Sequence, residues 1–208
     1  MGAVSAQLES GPLTAGARRR RSELGVAAVI AIMALLLMTA LGVAINLAVT
    51  SETMIAGNFL ASAEAFYAAD AVGERAIDDL RTVSDWTLVL SGGVRSAFVD
   101  GAPEGTRRLA DGKTIDLTSI VNLANCNKAT ACRDADMNAV TTARPWGVNN
   151  PRWQLYAYGE LNRMAPGAIT SPYYVLAMVA DDGSEDDGDP LRDGTDGINP
   201  GAGVLALR

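Results

Sequence analysis

Hydrophobic and polar positions are distributed unevenly along this chain. Residues 24–51 carry no charged side chain, and about 20 apolar residues suffice for a helix to cross a bilayer. From Glu52 onward charge returns, but no proline occurs before Pro103. The intervening sequence is rich in Ala, Met, Glu and Arg, all strong helix formers. One helix is therefore predicted from Leu24 to about Val83, roughly 90 Å long at 1.5 Å per residue. In its second half Ile55, Phe59, Phe66, Gly73, Ile77 and Leu80 recur at helical spacing along one stripe. That stripe predicts an amphipathic helix covering its own head. The alanines beside it, Ala61 to Ala76, suit close packing against other copies of the same helix.

Beyond residue 84 the period changes. Trp86 opens a short apolar stretch, Ser91-Gly92-Gly93 breaks it, and residues 101–113 are rich in Gly, Pro and Asp-Gly, which predicts a loop or hairpin. Residues 113–125 fit a strand or a short helix. Residues 125–150 hold few large apolar side chains and read as a surface loop. Three strand candidates follow, residues 153–161, 173–180 and 203–208. Turn-rich gaps between them predict an antiparallel sheet with one face packed on the helix. The expected fold class is α+β: a long N-terminal helix, membrane half plus amphipathic half, packed by a small antiparallel β-sheet head. The expected organisation is a basic leader over 1–25, a transmembrane half over 26–50, an amphipathic extension over 51–83 and an exported head over 84–208.

Charge orients this plan. Arg18 to Arg21 stand just before the apolar run, and the next basic residue is Arg75. Basic residues stay on the cytoplasmic side, so the N-terminus is expected in the cytoplasm, with the head outside the membrane. Residues 1–17 read as a disordered leader. The chain carries a net charge of -7; this acidic balance argues against nucleic-acid binding, which needs a basic face. Cys126 and Cys132 fall on the exported side, where a disulfide is the default pairing; two free thiols or a metal pair are the alternatives.

Candidate chemistry is sparse. With no histidine in the chain, no Ser-His or Cys-His pair exists, and the nucleophile-elbow, phosphate-loop and zinc-helix motifs are absent. No enzyme activity is expected. The one stretch with ligand chemistry runs over residues 180–201, where Asp181, Asp182, Glu185, Asp187, Asp189 and Asp193 offer hard oxygen ligands suited to calcium; Asp186 and Asp196 add to its acidity. The calcium-loop register is imperfect. Counted from Glu185, Pro190 stands where that loop has Gly; counted from Asp189, Pro200 replaces the closing Glu. The alternative is a solvated acidic turn between two strands.

Three stretches carry a family resemblance: SELGVAAVIAIMALLLMTALG (22–42), ETMIAGNFLASAEAFYAADAVGERAI (52–77) and SPYYVLAMVADDGSEDDGDPLRDG (171–194). With the basic leader they resemble the type IV prepilins, and most of all the PilX-type minor pilins. The resemblance implies cleavage by a prepilin peptidase between Gly25 and Val26. It implies residence in the bacterial inner membrane, then transfer by the inner-membrane assembly platform into a filament of other pilins at the cell surface. Major pilins carry a Glu where this chain has Ile30, and loss of that acid is expected of a subunit at the filament tip. Two other readings stay open: a permanent single-pass anchor whose acidic loop binds calcium or a partner, and a secreted head cut after Ala40-Leu41-Gly42.

Overall fold

The structure, a computed structural model, describes residues 14–185, 187–194 and 203–208. Residues 1–13, Asp186, Asp196 and Pro200 lie outside the described residues. The chain divides into two compact units, Met1–Leu60 and Ala61–Arg208.

Helix α1, Thr14–Leu80, runs through 67 residues. It starts ten residues before the expected Leu24, so residues 14–17 are helical rather than part of a disordered leader; Ala and Arg sustain a helix here. It stops three residues before Val83, where Thr82 closes the last turn by donating its Oγ1–H to the Asp79 carbonyl at 2.7 Å. In the first unit every side chain from Gly25 to Leu60 is exposed. The helix from Gly25 is long and apolar enough to cross a membrane.

The second unit packs helices on both faces of a three-stranded antiparallel sheet, order β3-β4-β5. Its strands are β3 (Gln154–Glu160), β4 (Tyr174–Asp181) and β5 (Leu205–Leu207), matching the three candidates. Antiparallel pairing aligns Gln154 with Val179 and Val179 with Leu207. A register shift between Leu155 and Ala157 marks a bulge at Tyr156. The extra residue breaks the two-residue alternation, so Leu155 and Tyr158 share one face although an odd number of positions separates them. The opposite face, with Tyr156, Val175, Ala177 and Val179, packs on Ala68, Val72, Ala76 and Leu80 of α1.

Here the expected stripe is corrected. The head rests on residues spaced four apart, two of them alanines, while Phe66 is 68% exposed and Tyr67 70%. Small side chains let the helix backbone approach the sheet closely, and a Phe at these positions would hold it off. Ala68 and Ala76 thus serve the chain's own head, where packing against other copies was expected. Of the predicted stripe only Leu80 is fully buried there, with Gly73 and Ile77 half-buried.

The second sheet face is covered too, where a single covered face was expected. Residues 106–126 form a hairpin, β1 (Thr106–Arg108) with β2 (Thr114–Asp116), followed directly by α3 (Leu117–Cys126). Residues 113–125 are thus both strand and helix, and Asp116 is the switch. Its carboxylate accepts from the Thr118 and Ser119 backbone N–H groups, capping α3. Leu117 of α3 is buried with Leu155, Tyr158 and Met178 in a second core cluster. Two short helices, α2 (Thr87–Leu90) and α4 (Asp134–Met137), complete the described elements with single turns at Gly147–Asn149 and Leu161–Arg163.

Candidate functional site

Cys126 ends α3, and Asn127 turns the chain sharply in the left-handed conformation at φ 54°. That turn brings Cys132 back to Cys126, and the two form a disulfide with Cα atoms 5.8 Å apart. The stapled segment is more structured than the surface loop expected over 125–150. Asn125 is buried, donating to the Trp153 carbonyl at 3.0 Å and accepting from its N–H at 2.8 Å. Asn150, wholly buried, donates to the Met137 and Ala139 carbonyls and accepts from the Trp146 N–H. Two asparagines thus satisfy the backbone that a loop of few apolar residues leaves unpaired. No local sequence signal separates them from solvated loop asparagines.

The acidic loop leaves the end of β4. Of the six calcium candidates, three come together: one carboxylate oxygen from each of Asp181, Glu185 and Asp193 lies within 4.8 Å of the others. Asp181 and Glu185 are buried, 3% and 1% exposed. The other three turn to local backbone. Asp182 accepts from Ser184 N–H and Oγ–H, Asp187 from Asp189 N–H, and Asp189 from Leu191 N–H. Asx turns of this kind hold a tight loop in shape. The six therefore do not form one ligand shell. Three gathered carboxylates fit part of the shell of calcium, which takes about six to eight oxygens.

Burial first, then the neighbouring Glu185 charge, pushes the Asp181 carboxyl up to about 8. Burial likewise raises Glu185. A third partner fixes the loop from outside: Asn149 Nδ2 donates to the Glu185 carbonyl at 2.6 Å. The Trp146 indole lies directly on Gly183, where an added Cβ would come within 2.8 Å of the ring.

Among the described residues, exposed large apolar side chains are concentrated on α1. Val26, Val29, Ile30 and the leucines that follow are more than half exposed, and so are Met54, Ile55, Phe59 and Leu60. In this stretch the polar side chains turn back on their own helix: Thr39 donates to Leu36 O, Asn46 to Gly42 O, Thr50 to Asn46 O and Thr53 to Val49 O. These bonds reduce the penalty for polar groups in an apolar surround. Gly25 lies within the helix, with nothing within 4 Å of an added Cβ.

The class these features define, among the described residues, is a chain with one membrane-capable apolar helix and an α+β head that carries a disulfide-closed loop. No protein-family model, curated protein or solved structure matches the chain.

Proposed function

We propose that this chain is a pilin-like structural subunit of the minor, PilX-like kind, taking part in type IV pilus or pseudopilus assembly. The observation that carries the reading is the reach of the exposed apolar surface on α1. Residues 26–49 already supply the about 20 residues a bilayer requires. Exposed Met54, Ile55, Phe59, Leu60, Phe66 and Tyr67 continue that surface well past it. A simple anchor has no use for this second stretch in water; a helix that packs among other helices does.

In this reading α1 waits in the inner membrane with its N-terminus in the cytoplasm, is cut between Gly25 and Val26, and moves with the assembly platform into a bundle of other pilins. Ile30 leaves the new N-terminal amine without the usual acidic partner, which suits a subunit with none above it. The test is the N-terminal sequence of the membrane-extracted protein from cells with and without the prepilin peptidase. A mature chain beginning at Val26 only when the peptidase is present is expected. An intact leader in both strains would overturn the proposal in favour of a fixed single-pass anchor, and a soluble product beginning near Val43 would favour a secreted head.

A further inference from the structure

An open groove of about 1080 Å³ runs along the head beside the disulfide loop, slightly above the usual range for ligand clefts, about 300 to 1,000 Å³. Two of the chain's three tryptophans line it, Trp146 and Trp153. The Trp146 ring rests against Gly183, and its backbone N–H donates to buried Asn150 Oδ1. It is nevertheless 46% exposed. A tryptophan packed against a glycine and still half exposed is a ready stacking platform.

The same groove sets three cations, Lys128, Arg144 and Arg208, against two carboxylates, Asp136 and Asp182. The Arg208 guanidinium sits 6.0 Å from the centre of the Trp153 ring. Arg144 is pinned by its Nη2, which donates to the Met137 and Pro151 carbonyls. Its Nε is buried and lacks a hydrogen-bond acceptor, and among the described residues no carboxylate pairs with Arg144 or Arg208. Lys128 pairs with Asp136 at 2.6 Å, and Asp182 accepts from the Ser184 N–H and Oγ–H and keeps its charge. The groove cations without a carboxylate partner among the described residues are therefore the two arginines.

We propose that this groove binds an acidic polysaccharide, with a sugar ring stacked on Trp146 and its carboxylates facing Arg144 and Arg208. A pyranose presents an apolar C–H face that covers an indole, and guanidinium groups pair well with carboxylates. Thr141 and Thr142 on the groove wall offer hydroxyls to a polymer dense in hydroxyl groups. An acidic peptide would use the arginines but has no comparable demand for a flat, backed indole. The inference does not depend on how α1 assembles.

The test is titration of the full chain in detergent with polygalacturonate, following tryptophan fluorescence, beside neutral dextran and polyglutamate. A saturable change with polygalacturonate alone is expected, weakened about tenfold between about 0.05 and 0.5 M salt. Trp146→Ala should weaken binding by about tenfold or more. Arg208→Gln, at an exposed position, should weaken it about five- to tenfold. No saturable change, dextran or polyglutamate binding as tightly as polygalacturonate, or both variants binding as the parent does would overturn the proposal. Equal binding of polyglutamate would point instead to an acidic peptide.

Discussion

Asn150 and Asp181 are both buried polar residues, but they respond to buried surroundings in opposite ways. Asn150 is neutral and its three bonds close the backbone of residues 137–146. Asn150→Ala leaves those backbone groups unpaired, and a loss of about 2 to 4 kcal/mol is expected in denaturant unfolding. Asp181 carries an ionisable group with Glu185, Asp187 and Asp193 close by and a carboxyl pushed up to about 8. An unfolded Asp titrates near 3.9. The folded value is raised, so its stabilising contribution is complete below about pH 4 and is lost as pH rises through about 8. Melting temperatures in chelator should fall across that window, and Asp181→Asn should flatten the fall. A flat profile in the parent chain would contradict the buried carboxyl cluster. The acidic residues were legible as a group in sequence, but the split into three gathered and three turned to backbone was not. Adjacent Asp and Glu look alike until a fold buries some and leaves others at turns.

At the scale of elements, α1 is divided by what its faces touch. Ala76 is fully buried against the sheet, so Ala76→Leu must push helix and strands apart. A destabilisation of about 1 to 3 kcal/mol is expected, visible as a lower denaturant midpoint with the head's circular dichroism retained at low denaturant. The helix itself was plain in the sequence because an uninterrupted apolar run followed by good helix formers leaves the backbone no competing structure. Which face meets the head was not plain. Large residues give a stronger periodic signal than alanines, yet the position closest to the sheet admits only small ones. The three strands were legible for a simpler reason: alternating or continuous apolar runs bounded by turn residues. The helix α3 was legible only as one of two alternatives, because residues 113–125 carry both patterns and the changeover depends on the single cap at Asp116.

For the whole molecule, anchoring and assembly make different demands on α1. In the pilin-like reading proposed above, residues 26–49 would satisfy the bilayer, whereas assembly would also draw on Phe59 and Phe66, 75% and 68% exposed. The double change Phe59→Ser and Phe66→Ser should leave membrane extraction and the melting temperature of the head unaltered, because neither side chain is buried. It should abolish recovery of the chain in sheared filaments. Persistence in the filament fraction would remove the assembly role of this face. The sequence alone determined the membrane-capable helix, the α+β class and the cysteines able to pair, because each follows from local pattern or from compartment chemistry. Tertiary structure decided which helix face carries the head, which carboxylates meet, and that two tryptophans and two arginines share one groove. Those outcomes depend on contacts between residues far apart in the chain, and no local period encodes them.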